Sequence, residues 1–365
     1  MKRKPFIPDE LPLSLEVFDY SIHIRNLTDA ASSLASYQTL LEHSKLPSNT
    51  FLRPVMYQEA VQSTKIEGTQ VTLEEMFEAD TKGKEETVDI REAMNYFRAL
   101  EEAIKELKRI PISTRLFQLL HKILLSGNVR GGNRNPGSYR TTQNYIGPEG
   151  CTIETATFIP PEPQIVPLAI SNLEKYINDD ADELHPLIKV AIIHAQFETI
   201  HPFLDGNGRI GRILIPLYLY DVKLISFPNF FISDTLEKDK HKYYRYLNDT
   251  RYKKDWNQWI RFFLECIKIQ ADKNKTTLVR VNGLYEETLE KSNRLINSSN
   301  MKSVIDTLIM HPVINVKLLS HLTGINEPTC RRYLNLLEEN KILFSDERVR
   351  NRTYFFYDLI SLIKN

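Results

Sequence analysis

Apolar residues return every three or four positions along most of this chain, the period of a helix that buries one face. The pattern predicts helices within Leu15–Leu41, Arg53–Phe77 and Ile90–Leu107, with charges between the apolar positions. Pro111 then opens "ISTRLFQLLHKILLSG", whose stripe of Leu116, Leu119, Leu120, Ile123 and Leu124 predicts a helix ended by Gly127. Between Val129 and Gly150 the period is lost among Gly, Asn and Pro. Short strand-like pieces on either side of these turns predict a β-hairpin between Tyr139 and Pro160. Helical periodicity resumes at Val166 and runs to about Gln270, broken at "TIHPFLDGNGR" and "FPNFFISD". Pro216 falls inside one of these helices and predicts a bend there.

Residues 271–300 are polar and read as a connector or a lone exposed helix. From Met301 onward three short helical segments precede the strand-like "KILFSDERVRNRTYFFY", an order that resembles a winged helix-turn-helix module. The fold class is therefore mainly α: a helical core with a small β-hairpin and a C-terminal winged module. The expected divisions are 1–110, 111–270, 271–300 and 301–365.

Composition narrows the function. The 365 residues are 42% hydrophobic, with 47 basic and 47 acidic side chains, so no global field draws the chain to nucleic acid or anionic membrane. Cys151, Cys266 and Cys330 lie far apart, with no CxxC pair, which excludes a thiolate metal site and a disulfide framework. The basic start lacks an apolar segment of a secretory signal, and no run approaches the ~20 apolar residues of a membrane span. A cytoplasmic, soluble protein with no membrane partner is expected.

One stretch breaks the helical monotony: "TIHPFLDGNGRIGRIL", Thr199–Leu214, between two apolar runs. It is a loop that opens a helix, and a helix start presents free N–H groups and the positive end of the macrodipole to anions. Gly206 and Gly208, flanking Asn207, let those amides close around an oxyanion. Arg209 and Arg212 are three apart and share a face, where both can meet a polyphosphate. Asp205 is a hard oxygen ligand suited to Mg²⁺. His201 can take a proton from a hydroxyl near neutral pH. These are the parts for moving a phosphate-linked group onto an alcohol.

In this order the residues spell His-x-Phe-x-Asp-Gly-Asn-Gly-Arg-x-x-Arg, and the chain resembles the Fic family, matching every fixed position of its signature. The likeness covers roughly residues 112–270. It implies a protein adenylyltransferase that moves AMP from ATP to a Ser, Thr or Tyr hydroxyl of a target protein. Position by position, it implies His201 as general base and Asp205 as the Mg²⁺ ligand. Asn207 would meet the α-phosphate, with the Gly206 and Gly208 amides as the anion hole. Arg209 would lie nearer the β-phosphate and Arg212 the γ-phosphate, while Phe203 would anchor the loop. The segment Tyr139–Pro160 resembles the family's flap, on which the target docks as an added strand. Tyr243 and Tyr244 are candidates for the adenine pocket, although aromatics at helical spacing serve equally as core.

"STKIEG", Ser63–Gly68, matches the family's inhibitory pattern, with Ser63 and Glu67 four apart on one helix face. A carboxylate docked on Arg212 would occupy the γ-phosphate position. The same glutamate in relatives also serves removal of AMP, so a bifunctional enzyme stays open. The alternative is a transcriptional or toxin–antitoxin regulator that uses the core as a nucleotide sensor; the presence of His201 favours the enzyme. For the winged module, Arg331, Arg332, Arg348, Arg350 and Arg352 point to DNA, whereas Glu338, Glu339 and the even net charge favour contact with protein or a second copy of the chain, a homodimer.

Overall fold

The structure is a computed structural model that describes residues 4–364 apart from 15, 16, 149, 297, 347, 349 and 350. The first long helix, α1, spans Ile24–Glu42 and starts later than its apolar period suggested, behind a 3₁₀ turn at Ser21–His23. The second predicted segment is split into α2, Ser48–Ile66, and α3, Leu73–Lys82. Two local signals cause the break. Gly68 takes φ +95°, a backbone that side chains resist. Thr72 then caps α3 in a reciprocal capping box with Glu75. Helix α4, Val88–Glu106, begins at a Thr87 cap, and α5, Thr114–Leu124, ends two residues before Gly127.

The segment expected as a hairpin is not one. Between Tyr139 and Pro160 a single antiparallel bridge, Ile146 to Phe158, is all the pairing among the described residues. Gly147 and Pro148 follow the bridge at once, and side-chain bonds such as Asn144 Nδ2 to Phe203 O (3.2 Å) hold the segment instead of a ladder.

Helix α6 spans Val166–Ile177, α7 Pro186–Ile200 and α8 Asn207–Asp221. Every residue of α7 from Leu187 to Ile200 is buried, so α7 is the central post around which the other helices pack. Pro216 lies inside α8 without ending it. Short α9, Ser233–Lys238, and α10, Lys240–Lys253, lead to α11, a single helix from Trp256 to Leu295. The expected connector is thus the second half of α11. Most of its polar residues face outward, while Leu278, Val281 and Tyr285 are buried with Thr288 and Ser292 and continue a seam against α1.

Helix α12, Met301–Met310, is followed by β1, Val313–Asn315, α13, Val316–Thr323, and α14, Glu327–Glu339. Strands β2, Phe344–Ser345, and β3, Thr353–Phe355, precede α15, Tyr357–Lys364. The three strands form one antiparallel sheet in the order β1-β3-β2. Arg350 lies outside the described residues. This C-terminal part packs on α2, α3 and α11, with Thr81 Oγ1 donating to Val313 O at 2.5 Å and Lys364 paired with Glu74 at 2.7 Å. No described helix is long and apolar enough to cross a membrane.

Candidate active site

The loop between α7 and α8 is closed by its own side chains. His201 caps α7 with φ +48°, an unusual backbone for a residue with a Cβ. Arg140 holds it there: Nε donates to the His201 carbonyl at 2.8 Å and Nη2 to that of Pro161 at 2.5 Å. Asn207 bonds Phe203 twice, accepting from its N–H at 2.8 Å and donating to its carbonyl at 2.9 Å. The amide expected on a phosphate is therefore committed to shaping the loop. Phe203 is fully buried, stacked on His121 at 3.9 Å and beside Tyr139, an anchor as expected. His121 accepts from Gly137 N at 2.8 Å, so its other nitrogen carries the proton and donates to Asp205 O at 3.0 Å. Burial pushes the His121 pKa down to about 4, which keeps that tautomer neutral.

His201 is half-buried, and its Nδ1 is shielded from solvent with no partner within hydrogen-bond distance. Burial, then the charges of Arg251 and Arg140, push its pKa down to about 3, so it is an unprotonated base. It lines a cleft of ≈ 590 Å³ together with Asp205, Gly206, Asn207, Gly208 and Arg212. Gly206, at φ +77°, turns the chain into α8. Its N–H is taken by the Asp205 carboxylate at 2.6 Å, and the same Oδ1 accepts from Arg209 Nη2 at 3.1 Å. Arg209 is therefore turned back onto Asp205 and is not among the residues that line the cleft.

Arg212 points the other way. It is 2% exposed, and its Nε donates to Ser63 Oγ at 2.8 Å. Its Nη2 donates to Ser63 O at 3.0 Å and to Glu67 Oε1 at 2.6 Å. Ser63 and Glu67 thus meet the guanidinium from one face of α2, and a Cβ on Gly208 would collide with the Glu67 carboxylate. Glu67 sits over the start of α8, where an anion is favoured. Its partial burial opposes the charge, yet Arg212 outweighs this and holds the carboxyl below the usual glutamate range. Gly68 ends α2 with a positive φ and leaves its surroundings open.

The other end of the cleft is aromatic. Tyr244 is 39% exposed and lines it beside Leu247 and Asn248, opposite Tyr145, Ile146 and Phe158 of the flap. Tyr243 also lines it but is buried, donating its hydroxyl to His194 Nε2 at 2.9 Å; His194 in turn donates to Gly211 O. It serves the core and the wall at once. Glu198, Lys240, Arg251, His121 and Arg140 belong to the site and were not read from the sequence. For Glu198 the only signal was a charge inside an apolar segment, and Arg251, among the polar residues that end α10, carried none. Arg140 and His121 carried none beyond their type.

Among the described residues no three His, Cys, Asp or Glu side chains cluster into a metal cage. One partly exposed carboxylate, Asp205, at a phosphate-sized anion site fits Mg²⁺ carried in by a nucleotide, since this ion prefers one or two carboxylates plus phosphate oxygens.

A model described as Fic/DOC family matches residues 111–219, and one described as Fic/DOC family N-terminal matches residues 24–105. The chain is 28% identical over 238 residues to "Protein adenylyltransferase Fic" of Nematostella vectensis, covering 62% of this chain and 50% of that protein. It is 26% identical over 291 residues to the protein of the same name in Aedes aegypti, covering 76% and 53%. The chain thus spans about half the length of these curated relatives. The fold matches the crystal structure of a Fic family protein from Desulfovibrio desulfuricans G20 with a TM-score of 0.60 at 22% identity, over 97% of this chain and 98% of the other.

Proposed function

The chain belongs to the Fic/DOC family, and from that premise we propose that it is a protein adenylyltransferase restrained by its own Glu67. The substrates are ATP and a hydroxyl side chain of a target protein. The hydroxyl oxygen attacks the α-phosphorus, an O–P bond forms, the α–β phosphoanhydride breaks, and pyrophosphate leaves. The hydroxyl proton passes to His201, whose neutral ring lines the same cleft as the start of α8. A bound triphosphate would raise the basicity of that ring, because nearby negative charge favours its protonated form. The first-turn amides of α8 and Arg212 would hold the phosphates by charge-assisted hydrogen bonds. Mg²⁺, held by Asp205, would neutralise phosphate charge. The aromatic wall at Tyr244 would take the base, and the edge of the flap at Ile146 would pair with the target segment.

The observation that carries this reading is the Glu67–Arg212 pair at 2.6 Å, an internal carboxylate seated at the anion site within reach of the proposed base's cleft. A lock of this kind has a purpose only if an anion otherwise binds there. Intact-mass spectrometry of the Glu67→Gly protein after incubation with Mg-ATP tests it. Addition of one AMP to a hydroxyl side chain, absent with His201→Ala, is the expected result; an unmodified protein with or without a target lysate excludes the reaction. Whether the intact chain also removes AMP is read by the same assay on pre-modified protein.

The C-terminal part is proposed to be a winged helix-turn-helix that contacts protein or a second copy of the chain. Pairing within the wing supports this over DNA: Arg352 is bonded to Glu338 at 3.1 Å and Arg348 lies 3.5 Å from Asp346. Binding of random duplex DNA that weakens steeply with salt would reverse that choice.

A further inference from the structure

Outside the cleft lies a polar cluster that the reaction does not use. Arg130 follows α5 and is half exposed, yet its backbone N–H, Nε and Nη2 are all engaged. Its backbone N–H and Nε donate to Glu92 Oε1 at 2.9 and 2.8 Å, and Nη2 donates to Glu92 Oε2 at 2.6 Å. The same Nη2 reaches Thr69 Oγ1 and Asp89 Oδ1, each at 2.9 Å. Glu92 is 2% exposed and also accepts from Thr69 Oγ1 at 2.9 Å, while Asp89 accepts from Gln70 N at 2.7 Å. Burial opposes the Glu92 charge, but the bonds from Arg130 hold its carboxyl below the ordinary range.

The cluster touches two functional parts. Thr69 and Gln70 belong to the turn directly behind Glu67 and Gly68. Backbone bonds tie Gly68 and Thr69 back to α2, and Arg130, Glu92 and Asp89 pin the turn to α4. On the other side, Gly131 runs with φ +74° against the Asp205 carboxylate: a Cβ there would come 2.6 Å from Oδ2. A displacement of Arg130 therefore moves the backbone on which Asp205 rests.

We propose that Arg130 is a positioning residue: gripped by Glu92, it sets the Asp205 carboxylate for the metal–nucleotide and ties that carboxylate to the turn that carries the Glu67 lock. This rests on the adenylyltransferase reading, with Asp205 as the Mg²⁺ ligand. Its mechanical content is a short, stiff path from Glu67 through Thr69, Glu92, Arg130 and Gly131 to Asp205, so that opening the lock and setting the metal ligand are one motion. Partners that orient a metal ligand commonly change its affinity by a factor of 10–100 when removed.

The test uses the full-length chain carrying His201→Ala, so that nucleotide binding is read without turnover. Binding of a fluorescent ATP analogue is followed as Mg²⁺ is titrated. Arg130→Met, which keeps the side-chain bulk and removes every side-chain donor while leaving the backbone bond to Glu92, is expected to raise the Mg²⁺ concentration for half-maximal binding roughly tenfold. Arg130→Lys should fall between, and Gly131→Ala should give the same shift from the other side. The shift should persist when Glu67→Gly is added, because it acts through Asp205. In the His201-intact chain, Arg130→Met should also narrow the difference in AMP transfer between the Glu67 and Glu67→Gly forms. An unchanged Mg²⁺ midpoint overturns the proposal. So does an equal shift in Arg98→Met, which removes the neighbouring Arg98–Glu85 ion pair on α4 without touching the path. Should Arg130→Met not fold by its thermal transition, the Mg²⁺ midpoint of Arg130→Lys decides in its place. If Glu67→Gly transfers no AMP, the enzymatic reading fails, while the Mg²⁺ titration still tests Arg130.

Discussion

The loop that opens α8 and the flap that faces it border one cleft but are built in opposite ways. The loop is closed largely from within, Asn207 fastening it on Phe203 and Gly206 turning it, while His121 and Arg140 brace Asp205 and His201 from neighbouring segments. The flap borrows its shape, with one bridge at Ile146 and Phe158 and the rest hung on neighbours. A self-held loop suits fixed chemistry, because reacting groups must stay within a narrow geometry. A segment held by a single bridge suits a partner that arrives and leaves.

This contrast can be broken by experiment. The largest effect is expected in the loop: His201→Ala should lower AMP transfer by about 10³-fold with nucleotide affinity retained, since general-base contributions run to that order. Residual transfer within tenfold of the parent, measured with labelled ATP, would remove His201 from the chemistry. Next comes the lock that covers the loop. Glu67→Gly should raise transfer by about 10- to 100-fold, the range of a coupling worth 1–3 kcal/mol; equal initial rates would leave Glu67 a structural cap. In the flap, Ile146→Pro deletes the N–H that donates to Phe158 O at 2.8 Å. It should raise the KM for the target several-fold and leave ATP binding and thermal stability nearly unchanged. A loss of ATP affinity instead would make the flap part of the self-held half.

The smallest effect is a null one. Glu67 is held below the usual glutamate range by Arg212. The lock's contribution is then present above the ordinary pKa of about 4.3 and lost only as pH falls through the lowered value. The ratio of transfer by Glu67→Gly to that by the parent should stay flat between about pH 6 and 8. A ratio that collapses toward pH 6 would mean that the carboxylate is not paired as described.

What the sequence disclosed follows the same divide. The loop was legible because its geometry is set by residue types at fixed spacing: Gly where φ is positive, Asp and Asn beside a helix start, His before Pro. Helical spacing put Ser63 and Glu67 on one face, and the resemblance to the family's inhibitory pattern supplied Arg212 as the partner of Glu67; the bonds of Ser63 to the same arginine came only with the structure. The opposite turns of Arg209 and Arg212 were not, because three residues apart on a helix says nothing of which neighbour each guanidinium finds. The flap misled because its alternating pattern is indifferent to whether a strand finds a partner. Helix α11 was cut short because residues 271–295 keep a narrow apolar seam, Ala271, Leu278, Val281 and Tyr285, within a polar surround. The break between α2 and α3 was missed because apolar residues resume in phase after the turn.

Helix α11 is 40 residues long, about 60 Å at 1.5 Å per residue. It runs beside α1 through both of its halves and packs against α7, α12 and α15 as well. The two halves of the molecule are therefore mounted on a common rod without a swivel. Any load taken up by the terminal sheet would reach the half that holds the cleft along a beam rather than through a tether. A protease that must unwind its substrate will find no foothold between Trp256 and Leu295 until that beam itself melts.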